Sequence, residues 1–103
     1  MWAQLITMRL KAGKEGELPR LYDELRAAEE PDSGLVRSTA MRDQKDPSRV
    51  YTLIVFESEE KARARENDPR RQARLQVARA TMAEIFDGPP EFVDLTVVEE
   101  TTP

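Results

Sequence analysis

The sequence predicts an α+β fold of the ferredoxin-like βαββαβ type, an antiparallel four-stranded sheet with helices packed on it. Three observations carry this. Short stretches rich in β-branched, aromatic and large apolar residues alternate with amphipathic ones in the order strand, helix, strand, strand, helix, strand. Turn and cap signals separate them at matching places. With 103 residues the chain has room for one domain. Residues 1–100 are expected to form it, with Thr101-Thr102-Pro103 as a tail.

Residues Trp2 to Lys11 read as the first strand, and Ala12-Gly13 breaks it. From about Glu15 to Glu29, Leu18, Leu21, Tyr22, Leu25 and Ala28 recur at helical spacing and define one apolar face. Pro19 fits only in that helix's first turn, where its missing N–H has no intrahelical partner to lose. Pro31-Asp32-Ser33-Gly34 stops the helix. Leu35–Arg42 and Val50–Glu57 form two strands joined by the polar turn at residues 43–48. Ser58 is a cap for a short helix from Glu59, and Asp68-Pro69 starts a second segment, so the second helix is split near Asn67. Leu75, Ala78, Met82, Ile85 and Phe86 form its apolar stripe, with Gly88 expected at C′. Phe92–Glu99 is the last strand.

Composition excludes several function classes. The net charge of −4 opposes nucleic acid as a partner, because phosphate binding needs a positive field. With no cysteine there is no disulfide or thiolate chemistry, and with no histidine there is no imidazole base or ligand. No metal site and no cofactor is expected. No apolar run approaches a membrane span and no signal-like start is visible, so a cytoplasmic protein with no membrane contact is expected.

The strands also predict a partner. Helices cover one face of such a sheet, yet Val50, Thr52, Ile54 and Phe56 lie on one side of the third strand and Tyr51, Leu53 and Val55 on the other. The first and last strands are apolar on both faces too, with Ala3 and Leu5 opposite Trp2, Ile6 and Met8, and Val93 and Leu95 opposite Phe92. A second copy packed sheet to sheet closes the free face most simply, so a homodimer is expected.

Several stretches resemble a known family. Leu10-Lys11-Ala12-Gly13-Lys14-Glu15 resembles the strand followed by K-P-G-K-E of antibiotic biosynthesis monooxygenase domains. Arg42-Asp43 with Asp46-Pro47-Ser48-Arg49 resembles their R-D…D-P-x-R hairpin. Val55-Phe56-Glu57-Ser58-Glu59-Glu60 resembles their E-W-E-S-x-E, the third strand entering the second helix. The likeness runs from Trp2 to about Glu99. It implies a dimeric α/β barrel and, among the family's activities, cofactor-free monooxygenation of polycyclic phenols or quinols, or haem degradation. The asparagine, tryptophan and histidine of haem-degrading members are missing: Ile6-Thr7, Arg65 and Leu75 stand near their places. The histidine of a common H-L-x-S-P-H-F stretch is also missing from Arg65–Arg71, and Phe56 stands where tryptophan is common.

The expected function is cofactor-independent monooxygenation of an aromatic, quinone- or polyketide-like small molecule. In such chemistry an acidic substrate loses a proton and its electron-rich anion reacts with dioxygen, while the protein supplies an apolar pocket, a proton acceptor or hydrogen bond, and positive charge. Tyr22, Trp2 and Asn67 are the candidate catalytic residues, and Tyr51, Phe56, Arg65, Met82 and Phe86 the candidate substrate contacts. Each has a plainer reading: core or interface packing for the aromatics, a helix break for Asn67, and a solvated helix face for the arginines of residues 63–79. Arg65, Arg70 or Arg71 leaning over a pocket would attract an anion, and Arg9 and Arg37 could line the barrel or pair across the sheet. The alternatives are a non-catalytic small-molecule-binding or accessory dimer, and a proton-transfer enzyme of the lactone isomerase kind with a carboxylate base.

Overall fold

A computed structural model describes residues 1–103. The elements are β1 (Trp2–Arg9), a 3-10 turn (Glu15–Glu17) leading into α1 (Leu18–Ala27), β2 (Leu35–Arg42), β3 (Arg49–Phe56), α2 (Glu59–Glu66), α3 (Pro69–Ile85) and β4 (Glu91–Thr96). The sheet is antiparallel in the order β2-β3-β1-β4, the ferredoxin-like arrangement the sequence predicts. No helix is long and apolar enough to cross a membrane.

Local chemistry sets the helix starts. Pro19 lies in the first turn of α1. Ser58 Oγ accepts from Lys61 N (3.2 Å) to cap α2, and Asp68 Oδ1 accepts from Arg70 N (2.9 Å) to cap α3, with Pro69 as its first residue. At the ends the sequence reading is corrected: β1 stops at Arg9, short of Lys11, and β3 runs one residue earlier, over Arg49–Phe56. The α-helix begins at Leu18, with Glu15–Glu17 in a tighter turn. Helix α3 ends with Phe86 as its cap, so Gly88, at φ +78°, is two residues beyond it. Strand β4 stops at Thr96, not Glu99, because Thr96 already pairs with Trp2 at the start of β1 and only Met1 remains beyond.

Side chains on one sheet face meet the helices: Trp2, Gln4, Ile6 and Met8 of β1 lie beside Phe56, Ile54, Thr52 and Val50 of β3. The apolar core on this face is in two parts. The larger gathers Leu10, Leu18, Leu21, Ala28, Val50, Leu75, Ala78, Ile85 and Phe86, with Leu21, Val50 and Ile85 fully buried. Burial of each such side chain contributes about 1.5–3 kcal/mol. The smaller gathers Trp2, Phe56 and Ala62, flanked by Leu35 and Ile54.

No helix side chain joins these clusters from the opposite face, which carries Leu5, Leu53, Tyr51, Met41, Val93 and Leu95. Of these Met41, Val93 and Leu95 are exposed and the others partly so. Only the Ala3–Val55 pair is buried there. The chain after β4 returns across that end, where Val97 N donates to Met1 O (3.3 Å) and Glu100 pairs with Arg37 of β2.

Candidate functional site

Between the two core clusters, on the helix-facing side, runs a polar band. Thr52 and Gln4 occupy inward positions of the two central strands, where an all-apolar core would place aliphatic residues, and Asp94 stands next to Gln4 on β4. Helix α1 brings Tyr22 close to Thr52. Burial pushes the Tyr22 phenol above its ordinary value, and the neighbouring Thr52 hydroxyl offsets only part of that. Tyr22 is therefore a neutral hydrogen-bonding group at physiological pH.

At the Trp2 end, three elements are tied together. Gln4 Nε2 donates to Asp94 Oδ1 (3.0 Å), and Arg63 of α2 donates to Asp94 Oδ2 (3.0 Å) while its guanidinium lies 5.0 Å from the centre of the Trp2 ring. Cation–ring contacts of this kind contribute about 0.5–1 kcal/mol at accessible sites. Trp2 is buried, its ring 6.0 Å from that of Phe56 and tilted by 42°. The Asp94 carboxyl is held below its usual range by the Gln4 hydrogen bond and then by Arg63. At the opposite end, Met8, Met82, Ala83, Phe86, Gly88 and Pro90 line a cleft of about 340 Å³. Phe92, 57% exposed, lies on the same sheet face at the β4 edge.

These positions divide the candidate residues predicted from sequence. Trp2 and Phe56 face the helices beside the band, Tyr22 faces it from α1, and Met82 and Phe86 share the cleft. Tyr51 does not join them. Its odd position on β3 puts it on the opposite sheet face, with its hydroxyl 3.5 Å from Asp43. Asn67 is also elsewhere: it is exposed at the end of α2, and its Nδ2 donates to Arg63 O (3.0 Å), the helix-break role.

Arg65 is not free for a ligand. It is bidentate to Glu29 (Nε–Oε2 3.0 Å, Nη2–Oε1 2.7 Å) and lies 5.1 Å from the centre of the Phe56 ring. Burial pushes the Glu29 carboxyl up, but hydrogen bonds from Arg65 and Ser33 and the charges of Arg65 and Arg71 bring it below its ordinary value. Arg70 is likewise held by Asp68 (2.7 Å) and Asp32 (3.2 Å). Arg9 pairs with Asp46 (3.2 Å) and Arg37 with Glu100, on or beside the far face.

Gln4, Thr52, Asp94 and Arg63 were not singled out from sequence. Their signal is parity: Gln4 lies between Trp2 and Ile6 on the inward face, and Thr52 between Val50 and Ile54. No group of three or more carboxylates is placed to hold a metal ion.

Helices on one face of an antiparallel four-stranded sheet, over a band of polar side chains that opens to solvent at Asp94 and Arg63, define a small α+β protein. The family model for antibiotic biosynthesis monooxygenases matches residues 1–76, and the chain belongs to that family. Among solved structures, it is similar to a proposed antibiotic biosynthesis monooxygenase from Nitrosomonas europaea (15% identity, 96% of this chain and 100% of that one, TM-score 0.76). It is also similar to SnoaB, a cofactor-independent oxygenase from Streptomyces nogalater (14%, 96% and 94%, 0.73). MhuD, solved with two manganese protoporphyrin IX molecules per active site, matches along both full chains (20%, 0.75). At these identities the likeness is one of fold. No curated protein sequence matches the chain significantly.

Proposed function

We propose that the chain is a cofactor-independent monooxygenase that works as a homodimer on an aromatic, quinone- or polyketide-like molecule bound between the helices and the sheet. The observation that carries this reading is the polar band, with the raised-pKa Tyr22 on its helix side and Gln4 and Asp94 opposite. SnoaB, with the same fold, is a cofactor-independent oxygenase. An anthrone-type methylene gives the balance the chemistry needs: CH2 and O2 become C=O and water, with the substrate as the only reductant. Tyr22 hydrogen-bonds to the developing oxyanion, and Trp2 and Phe56 wall the apolar end.

Porphyrin chemistry of the kind MhuD's ligand suggests does not fit these residues. The chain has no histidine or cysteine to ligate iron, and Leu75 is committed to the core. The two-fold partner follows from the uncovered apolar sheet face, whose Leu53, Tyr51, Val93 and Leu95 a second copy would shield.

A second reading, a binding dimer without turnover, draws support from the same side chains. Tyr22 is pushed up and Asp94 held down, so neither is a base poised near neutrality. Oxygen uptake with a panel of anthrones, naphthols and quinols in the presence of chelator separates the two. Chelator-resistant uptake that falls about a hundredfold in Tyr22→Phe supports the enzyme, the scale of losing one oxyanion donor. Ligand-induced thermal shifts with no uptake support the binding protein.

A further inference from the structure

Arg71 stands apart from the other eleven arginines of the chain. Eight of them form ion pairs with carboxylates: Arg9, Arg20, Arg26, Arg37, Arg63, Arg65, Arg70 and Arg74. Arg42 donates to Pro47 O (3.1 Å), Arg79 to Gln72 (2.7 Å), and Arg49 lies beside Tyr51. Those three are exposed. Arg71 is half-buried and has no carboxylate within ion-pair distance. Its Nε is shut off from solvent without a hydrogen-bond partner. Glu30 Oε1 is the one other shielded side-chain atom in that condition, and it has Arg74 at 2.8 Å as counter-charge. Arg71 Nε has neither.

Its place in the fold gives this isolation a meaning. Arg71 lies one turn before Leu75 on the α3 stripe that continues through Ala78 and Met82. It is also near Arg65, whose guanidinium covers Phe56 of the smaller core cluster. The nearby carboxylates Glu29 and Glu66 are already engaged by Arg65 and Arg63. Burial, and next the like charge of Arg65, work against the charged form, yet a guanidinium stays protonated at neutral pH. A half-buried charge with no ion pair of its own is destabilising by itself.

We propose that Arg71 is the anchor for an anionic group on the bound molecule, which makes the ligand class an aromatic acid: a fused-ring carboxylate, or a phenol or enol acidic enough to be ionised at neutral pH. The inference rests on the reading that the helix–sheet space takes an aromatic molecule, and it names the group that molecule must carry. The anion supplies the direct ion pair that Arg71 lacks. A phenolate bound there is also held in the electron-rich form that reacts with dioxygen, so the site selects the anion and needs no strong base of its own.

The test compares 1-hydroxy-2-naphthoate with 1-naphthol, a ring system of the same size that is neutral at pH 7, by calorimetric titration of the full chain at low salt. Wild type is expected to bind the naphthoate about tenfold or more tightly, the scale of one charge-assisted hydrogen bond. In Arg71→Gln the two affinities converge, while naphthol binding and the melting temperature are kept or raised, since an unpaired charge is removed. Arg70→Gln, which alters a neighbour already paired with Asp68 and Asp32, keeps the preference.

Equal affinities in wild type, or a preference that survives Arg71→Gln or is lost equally in Arg70→Gln, would overturn the anchor and leave the oxygenase reading standing. Sodium sulfate binding as tightly as the naphthoate would also overturn it, as an anion site without a ring. An Arg71-dependent preference with no oxygen uptake from any substrate sinks the oxygenase and keeps the anchor. Binding of neither probe removes both.

Discussion

Replacing Glu29 by glutamine tests whether the Arg65 pair is part of the framework or part of a binding site. The two side chains are only 12% and 21% exposed, and three hydrogen bonds of 2.7–3.2 Å join them across 36 residues of chain. Removing one partner of a fully buried pair is destabilising by about 3–5 kcal/mol, and one charged hydrogen bond contributes about 1.5–3 kcal/mol. This pair is not fully dry, and Arg65 keeps its stacking on Phe56. Glu29→Gln is therefore expected to lose about 2–3 kcal/mol, a fall in melting temperature of about 10–20 °C for a domain of this size. Because the folded-state pKa of Glu29 lies below its unfolded value, the stabilisation is complete above the unfolded carboxylate range, about pH 4.3. It is lost as pH falls through the folded value. Differential scanning calorimetry from pH 3 to 8 should show a shallower acid decline in the variant. Arg26→Gln, which removes an exposed pair with Asp23, should change little. A Glu29→Gln melting point within about 3 °C of wild type, with the acid slope intact, would refute a framework role, since about 1 kcal/mol shifts such a domain by 4–8 °C.

Three further expectations follow from single observations. Leu53→Glu puts a charge at the centre of the uncovered sheet face and should leave a monomer of 11.8 kDa by light scattering, where wild type is expected at twice that mass; equal masses would remove the dimer. Gly34→Ala should be destabilising by about 1–3 kcal/mol in urea titration, because φ is +81° and the added Cβ would sit 2.7–2.8 Å from Lys61 side-chain carbons. The raised pKa of Tyr22 means its stabilisation is complete below the unfolded tyrosine value, about 10, and is lost as pH rises through the folded value. A Tyr22→Phe variant should then show a flatter decline in melting temperature from about pH 10 upward.

What the sequence makes legible is periodicity, and what it hides is pairing across distance. Parity places Val50, Thr52, Ile54 and Phe56 on one face of β3 and Tyr51, Leu53 and Val55 on the other, as the structure has them. The same rule separates Tyr51 from Trp2 and Tyr22, a consequence that grouping the aromatics by chemistry obscures. The stripe of Leu18, Leu21 and Leu25 leads to the inward setting of Tyr22 without further information. By contrast, Arg65 and Arg71 sit in one arginine-rich stretch and look alike there. Their fates diverge because Glu29, 36 positions before Arg65, can satisfy only one of them. The end of β4 is hidden for a related reason: Val97 and Val98 have strand-like side chains, but beyond Trp2 only Met1 is left, and it accepts a single hydrogen bond from Val97.

These placements bear on how so plain a residue set could support oxygen chemistry. Without histidine or cysteine, proton transfer falls to carboxylates and tyrosines. The two that face the band are displaced in opposite directions, Tyr22 upward and Asp94 downward. A pocket so arranged is poorly suited to removing a proton from a weak acid, and better suited to receiving a molecule that has already lost one. On the proposed reading Arg71 supplies the positive charge, Tyr22 a neutral hydrogen bond, and Trp2 and Phe56 an apolar wall. The division of labour then follows from electrostatics: the substrate brings the acidity and the electrons, and the protein contributes a place where the anion is more stable than it is in water.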